Sequence, residues 1–271
     1  MTGRLGVLAG GGRLPGRVIE AARAMGRDVF ALGFEGHTDP ATLAGVPHAW
    51  VRLGAAGEVF RHLREAGVVD ICLAGPVKRP SLGELRPDWR GAQFLARVGA
   101  RAFGDDGLLS AIVREIEAEG FRVVGADELL GELLTPLGTL GAVAPPPEAA
   151  GDIARGLAVL AALGPVDVGQ AVVVQQGVVL GVEAVEGTAS LLARAGTLRR
   201  PGFGGVLVKA AKPGQERRVD LPAIGADTVT QAAEAGIAGI ALEAARTLII
   251  DRTATIAASD RAGLFVVGVA A

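Results

Sequence analysis

Short apolar runs alternate with segments of helical periodicity through the first half of the chain. Residues 5–9 form the first run, and residues 14–25 then place apolar side chains at helical spacing before Gly26. This alternation predicts parallel strands joined by helices. We therefore predict an α/β fold in which residues 1–134 form an N-terminal Rossmann-like domain with a parallel sheet. The strand-like runs of this domain are residues 5–9, 28–33, 69–74 and 121–125.

The pattern changes after the first domain. Residues 135–147 carry no charge and end in three prolines, which predicts an interdomain linker. Residues 170–186 then hold two valine-rich runs around Gln176 and Gly177, which predicts a β-hairpin. Because a hairpin adds antiparallel pairing to further strand and helix segments, we predict a mixed-sheet α/β domain over residues 148–271.

Composition narrows the class of protein. The 271 residues are 50% hydrophobic with a formal net charge of −2, so the basic excess of a nucleic-acid binder is missing. Cys72 is the one cysteine, which excludes intramolecular disulfides and cysteine-based zinc clusters and fits a reducing cytoplasmic setting. We expect no transmembrane helix, because no stretch of about 18 apolar residues is free of charges, prolines or clustered glutamines.

Glycines follow the first predicted strand. Gly10, Gly11 and Gly12 stand where the carboxyl edge of a parallel sheet binds ligands, and a helix N-terminus there favours phosphate. The pattern is not a dinucleotide fingerprint, because Pro15 replaces the third glycine, and it is not a P-loop. A tight turn without a ligand is the alternative.

Two further loops of this half carry charge. The loop 75–81, GPVKRPS, follows another predicted strand, and its Lys78 and Arg79 could hold a diphosphate or could simply be solvated. Asp105 and Asp106 open a predicted helix, where capping alone would explain them.

The segment 204–228 is the richest in chemistry. An apolar run ends in Lys209 and Lys212, two turns follow, and Asp227 begins a short predicted helix as its cap. Fixed cations and carboxylates this close together suit a phosphorylated substrate, with or without a divalent metal. The alternative is a strand, two turns and a capped helix with solvated charges.

Two acids end the predicted hairpin. Glu183 and Glu186 are three residues apart, so they point to opposite faces of a regular strand, and we favour Glu186, beside the turn, as the one facing a site. Thr188 is predicted to cap the next helix. Gln170, before the hairpin, could read a base edge or a backbone amide.

These segments together resemble the LpxI family, the UDP-2,3-diacylglucosamine pyrophosphatases of lipid A synthesis. One departure is Ala189, where the family usually has an acid after EGT, and this leaves the role of that position open. The matching segments are LAGGGRLP (8–15), AGPVKRPSLGELRPD (74–88), GDDGLL (104–109), EGFRVVGADELL (119–130), DVGQAVVV (167–174), VEAVEGT (182–188), KAAKPGQERRVDLPAIGADTV (209–229) and GLFVVG (263–268).

The resemblance implies two α/β domains with the substrate held between them. It implies Mg²⁺-dependent hydrolysis of UDP-2,3-diacylglucosamine to UMP and 2,3-diacylglucosamine 1-phosphate (lipid X), with water attacking the phosphate on the sugar side. It also implies a homodimer from a Gram-negative bacterium, located in the cytoplasm with peripheral contact at the inner membrane, and an essential role for Asp227.

On this basis we expect Asp227 to bind Mg²⁺ or orient the attacking water, with Glu186 as a second catalytic acid. The cations would clamp the diphosphate, and the glycines and Gln170 would meet uridine or phosphate. The expected substrate-binding residues are Gly10, Gly11, Gly12, Gly75, Val77, Lys78, Arg79, Asp105, Asp106, Gln170, Gly187, Thr188, Lys209 and Lys212.

Other classes remain open from the residues alone. A nucleotide- or sugar-phosphate-binding protein without turnover would bind ligand with no metal dependence. A nicotinamide or flavin oxidoreductase would use the glycine loop and Glu35, but it lacks residues for hydride transfer. A structural assembly protein would not need cation- or glycine-rich loops at strand ends. The D-x-H and G-N-H-D clusters of calcineurin-like phosphoesterases do not occur.

Overall fold

The computed structural model describes residues 3–77, 85–98, 105–213 and 216–271. The chain divides into two compact units. The first comprises Met1–Gly131 with Glu216–Asp220, and the second comprises Glu132–Gln215 with Leu221–Ala271. The first unit therefore includes a short segment that the predicted bounds left in the C-terminal domain.

Within the described residues, the first unit is built on a five-stranded sheet in the order β3-β2-β1-β4-β5, with every pair parallel. The predicted parallel α/β architecture is confirmed, with β3 as a strand that the sequence pattern did not reveal. The strands are β1 Arg4–Ala9, β2 Val29–Phe34, β3 His48–Val51, β4 Val68–Ala74 and β5 Arg122–Val123. The helices are α1 Leu14–Ala24, α2 Ala56–Glu65, α3 Trp89–Val98, α4 Asp105–Ala118 and α5 Ala126–Leu129.

The core of the first unit explains why these apolar runs form strands. Leu32 on β2 and Ile71 on β4, the two strands that flank β1, are fully buried. Phe60 of α2 packs into the same hydrophobic cluster. Cys72 is buried, and burial, followed by the charges of Asp127 and Glu128, raises the pKa of its thiol to about 12. The thiol is therefore a small core group rather than a nucleophile.

The second unit is built on a mixed sheet in the order β6-β13-β11-β9-β7-β8, as predicted for this half, and on a separate parallel pair, β10-β12. Its strands are β6 Gly138–Leu140, β7 Ala171–Gln175, β8 Val178–Val182, β9 Val206–Lys209, β10 Ala223–Ile224, β11 Gly239–Glu243, β12 Leu248–Ile249 and β13 Phe265–Val269. Its helices are α6 Ala149–Leu163, α7 Gly187–Thr197, α8 Ala226–Glu234 and α9 Arg252–Ala262.

The predicted hairpin is confirmed as β7 and β8, which pair antiparallel. Gln176 and Gly177 form its turn with φ angles of 52° and 75°, the left-handed values that two-residue hairpin turns require. The buried Asp152 of α6 accepts hydrogen bonds from both of their N–H groups, at 3.0 and 2.6 Å. The turn is thus fixed to the helix that packs on the same sheet.

The structure differs from the prediction at residues 135–147, which are not a linker but part of the second unit. Strand β6 lies in this segment and pairs antiparallel with β13 at the sheet edge. Thr135 is buried and donates both its N–H and its hydroxyl to the carbonyl of Thr247, each at 2.9 Å. An uncharged segment suits a sheet edge as well as a linker, so composition could not separate the two.

Among the described residues, one helical segment is long and apolar enough to cross a membrane by length and composition alone. This segment is Ala149–Val166, with a mean hydropathy of 1.4. In the structure, Ala149 and Leu160 of α6 belong to the cluster that covers β7 and β9. Of this segment, 28% is buried, so α6 packs one face on the sheet and leaves much of its surface exposed.

Candidate active site

Four polar residues of the second unit lie at one edge of its sheet. Strands β8, β9 and β11 point the same way, because β7 runs antiparallel to both β8 and β9 while β11 runs parallel to β9. Their carboxyl ends therefore meet at one edge. Glu183 follows β8, Lys209 ends β9, Glu243 ends β11, and Gln170 precedes β7 at the same edge.

The side chain of Thr188 joins two of these residues, Glu183 and Lys209, by hydrogen bonds. The hydroxyl of Thr188, in the first turn of α7, donates to Oε1 of Glu183 at 2.5 Å. Nζ of Lys209 donates to the same hydroxyl oxygen at 2.8 Å and lies 3.4 Å from the carbonyl oxygen of Ala223. Lys209 is only 6% exposed, so these acceptors compensate an ammonium that has lost most of its water.

A second buried lysine lies further along the same chain segment. Lys212 forms an ion pair with Asp167, and its side chain is 7% exposed. Asp167 is held in the left-handed region with a φ of 57°. An incoming phosphate would therefore share Lys212 with this carboxylate.

The acid at the end of β11 stabilises the loop after β9. Glu243 is buried and accepts from the N–H of Ala211 at 2.8 Å and from Arg246 at 3.0 Å. Both carboxylate oxygens thus have donors. We assign Glu243 to holding the backbone between the two lysines.

Asp227 lies exposed in the first turn of α8. The prediction that it caps this helix is wrong, because α8 begins at Ala226 and its N-cap is Gly225. The N–H of Gly225 donates to Oγ1 of Thr228 at 3.4 Å, so the start of the helix does not depend on Asp227. Strand β10, just before this turn, supplies the Ala223 carbonyl beside Lys209.

Glu186 is exposed and already has partners. Arg194 donates to its Oε1 at 2.8 Å, and the N–H of Ala184 donates to its Oε2 at 3.1 Å. Its own backbone N–H and then Arg194 lower the pKa of this carboxyl, so Glu186 is ionised at neutral pH. The predicted cap at Thr188 is also wrong, because α7 begins at Gly187 and its N-cap is Glu186.

The glycine loop of the first unit packs against the loop that follows β4. The N–H groups of Gly10 and Gly11 donate to the carbonyls of Ala74 and Pro76, each at 2.8 Å. A Cβ built on Gly10 would lie 2.4 Å from the carbonyl oxygen of Gly75. Close approach of two backbones explains why glycine is required there, where the sequence argument invoked a ligand. These two amides are engaged by the protein itself.

Some of the remaining expected substrate-binding residues lie within the described part of the chain, and others lie outside it. Gln170 donates its backbone N–H to Oε2 of Glu183 at 3.2 Å, which joins it to the edge of the second sheet. Val77 is 38% exposed beside the glycine loop. Lys78 and Arg79 lie outside the described residues, as do the side chains of Asp105 and Asp106. The ligand contacts expected of all these residues stay predictions.

Magnesium binding can be judged by the chemistry of the donors. The described residues contain no group of three His, Cys, Asp or Glu side chains placed to hold a metal ion. Mg²⁺ usually keeps several waters and takes one or two protein carboxylates together with substrate phosphates. The exposed carboxylate of Asp227 fits that arrangement as a single protein ligand.

The sequence argument did not identify Glu183, the acid that accepts the hydrogen bond from Thr188. It set Glu183 aside because residues three apart lie on opposite faces of a strand, but β8 ends at Val182 and the rule no longer applies beyond it. Asp167 and Glu243 were also not anticipated as partners of the lysine segment. Their only signal was their position at the ends of apolar runs.

The crowding between the two loops of the first unit gives a testable expectation. Gly75 and Gly67 both have positive φ, 85° and 67°, so alanine at either costs about 1–2 kcal/mol of backbone strain. A Cβ on Gly75 would also lie 2.2 Å from the carbonyl oxygen of Gly11, whereas one on Gly67 meets nothing within 4 Å.

We expect Gly75→Ala to lower the free energy of unfolding by about 1–3 kcal/mol more than Gly67→Ala. Urea unfolding followed by tryptophan fluorescence measures this in the first unit, because both tryptophans, Trp50 and Trp89, lie there. Equal losses of unfolding free energy in the two variants would show that the loops around Gly11 and Gly75 can move apart without a loss of stability.

Two α/β units, with buried cations and acids at the carboxyl edge of the second sheet, define a two-domain protein suited to a phosphorylated ligand. Residues 4–133 match the family model of the LpxI N-terminal domain, and residues 136–267 match that of the LpxI C-terminal domain. The chain is also 45% identical over 273 residues to the UDP-2,3-diacylglucosamine pyrophosphatase LpxI of Caulobacter vibrioides, covering 98% of this chain and 97% of that relative. The chain belongs to the LpxI family.

Proposed function

We propose that this chain hydrolyses the diphosphate of UDP-2,3-diacylglucosamine to UMP and 2,3-diacylglucosamine 1-phosphate, as a step of lipid A biosynthesis. The observation that carries the proposal is the 45% identity, across nearly the whole chain, to a relative that is named for this pyrophosphatase activity. The buried lysines at the edge of the second sheet support it, because a diphosphate needs fixed positive charge.

In the proposed reaction, water attacks the phosphorus atom on the sugar side. The bond from that phosphorus to the bridging oxygen breaks, and UMP leaves with the bridging oxygen. Lys209 would neutralise charge that develops on the phosphates, since a preoriented ammonium in a dry site needs no reorganisation during the reaction. Lys212 would share its charge between the substrate and Asp167.

Asp227 would orient the attacking water or hold Mg²⁺ beside the diphosphate. Its exposure leaves the carboxylate accessible to either partner. A bound Mg²⁺ would supply charge neutralisation and polarisation of a phosphoryl oxygen. Glu186 stays a proposed second acid, although its two oxygens are engaged by Arg194 and the Ala184 N–H.

We also propose the setting in which the reaction takes place. A substrate with two acyl chains resides in a membrane, so a protein in the cytoplasm would work in peripheral contact with the inner membrane. A homodimer is proposed from the family resemblance. Sedimentation of the purified chain, with and without vesicles of bacterial lipid, tests both statements.

The reaction is tested by UMP release from UDP-2,3-diacylglucosamine in ¹⁸O-labelled water, with and without Mg²⁺. We expect Mg²⁺-dependent UMP and the label on the lipid phosphate. Label on UMP would keep the pyrophosphatase but overturn the site of attack. Ligand binding without UMP release, from folded protein with Mg²⁺ present, would identify a nucleotide- or sugar-phosphate-binding protein instead.

A further inference from the structure

We propose that Glu183 is a positioning residue that orients the ammonium of Lys209 through the hydroxyl of Thr188. The inference rests on the proposed function and assigns a role to a residue that the sequence argument had set aside. It comes from the continuous hydrogen-bonded chain at the end of β8 and β9.

The direction of the hydrogen bonds from Lys209 through Thr188 to Glu183 follows from the single proton of the Thr188 hydroxyl. Thr188 has one hydroxyl proton, and the hydroxyl oxygen lies 2.5 Å from Oε1 of Glu183, so the hydroxyl donates that proton to the carboxylate in a hydrogen bond. A lone pair of the hydroxyl oxygen therefore faces Nζ of Lys209 at 2.8 Å. Without the carboxylate, the hydroxyl could rotate and turn its proton toward the ammonium.

Glu183 is itself held on several sides. Its Oε2 accepts the N–H of Gln170 at 3.2 Å, and its backbone N–H donates to the carbonyl of Ala171 at 2.8 Å. A Cβ on Gly169 would lie 2.0 Å from the Glu183 carbonyl oxygen, so the two segments are in close backbone contact. A carboxylate fixed in this way can set the rotamer of Thr188.

The burial of Lys209 makes its orientation important. The side chain ends a buried strand, and a flexible ammonium would lose the advantage of a preorganised charge. The nearby Glu186 cannot serve in the same way, since it is exposed and pairs with Arg194. The two acids therefore differ in their partners: Glu183 bonds to Thr188, and Glu186 pairs with Arg194.

A matched pair of substitutions tests the hydroxyl. Thr188→Val removes the hydroxyl at nearly constant volume, and Thr188→Ser keeps it. We expect Thr188→Val to lower kcat by about 10- to 100-fold with KM changed by less than about threefold, the scale seen when a residue that orients a ligand is lost. Thr188→Ser should restore kcat to within about threefold of the wild type.

The carboxylate is tested in combination. Glu183→Gln alone should lower kcat to a similar extent. The double variant, Glu183→Gln with Thr188→Val, should have a kcat within about threefold of the less active single variant, because the losses from residues that act as one unit do not add. Glu234→Gln, an exposed acid near the end of α8, is the matched control and should keep wild-type kcat. Far-ultraviolet circular dichroism and Tm identify any variant that fails to fold.

The outcomes separate the two proposals. Absence of UMP release by the wild type would overturn the proposed function and this inference with it. If the wild type turns over substrate, three results would overturn only the inference. These are an unchanged kcat in Thr188→Val, additive losses of kcat in the double variant, and a kcat of Thr188→Ser as low as that of Thr188→Val.

Discussion

Replacement of Asp227 by Asn is expected to lower kcat for UMP release by on the order of 10³-fold while the protein stays folded. The carboxylate is exposed in the first turn of α8, and the helix is capped at Gly225 without it. Removing one acid from a helix start costs only about 0.3–1 kcal/mol of stability. Activity and stability should therefore separate clearly in this variant.

The measurement is steady-state UMP release over a range of Mg²⁺ concentrations, with circular dichroism of the same samples. If Asp227 holds Mg²⁺, the residual activity should need more Mg²⁺ for half-saturation. Asp251→Asn is the control, because Asp251 caps α9 in the same unit by accepting the Ala254 N–H at 3.2 Å, and asparagine can keep that bond. An unchanged kcat in Asp227→Asn contradicts the proposed role, and a loss of folded structure would make Asp227 a structural residue.

The second large effect is expected on stability, from Asp70→Asn in the first unit. The side chain of Asp70 on β4 is 3% exposed and accepts from Arg27 at 2.5 Å and from Arg122 at 2.8 Å through each of its oxygens. Removing the charge leaves the buried guanidinium of Arg27, 9% exposed, without its counterion, whereas the Arg122 side chain is 63% exposed and stays hydrated. We expect a loss of up to about 3–5 kcal/mol in the free energy of unfolding, the range for a broken buried ion pair, and attribute it to Arg27.

The same group predicts a pH dependence. The hydrogen bond from Arg122, followed by that from Arg27, lowers the pKa of the Asp70 carboxyl, although burial opposes the shift. A lowered folded-state pKa stabilises the protein above the unfolded pKa of about 3.9, and this stabilisation is lost as the pH falls through the folded value. The difference between wild type and Asp70→Asn should therefore shrink below about pH 4.

Urea unfolding followed by tryptophan fluorescence, at pH 7 and at several values below 4, measures both effects in the first unit. Glu65→Gln is the control, since Glu65 forms an exposed pair with Arg61 at 3.2 Å and should cost less than about 0.5 kcal/mol. A stability difference for Asp70→Asn that does not change with pH would contradict the assignment.

Much of the fold was predictable because it rests on local pattern. The apolar runs at β1, β2, β4 and β9 have the length and spacing of buried strands, and the two valine-rich runs around Gln176 and Gly177 predict the hairpin of β7 and β8. The strands β3, β6 and β10 were missed because they are short, and pairing with a neighbour rather than hydrophobicity makes them strands.

The candidate site was predictable in part. Lys209 and Lys212 were predicted to bind a phosphorylated substrate, and this stays a prediction. The sequence could not show that both lysines are buried or that Lys212 forms an ion pair with Asp167. The preference for Glu186 over Glu183 followed a strand rule that fails where β8 ends at Val182. Gly10, Gly11 and Gly12 were predicted to meet a ligand, and this stays a prediction. What the sequence could not show is the close approach of Gly10 and Gly11 to the loop after β4.

The sequence by itself determined the two α/β halves, the strand and helix periods and the membership of the LpxI family, because these depend on residues read in chain order. Only the tertiary structure decided which charges meet. Glu183, Thr188 and Lys209 are brought together by the parallel direction of β8 and β9 with β7 between them. Side-chain pairing over such separations depends on sheet order and register, which no local pattern encodes.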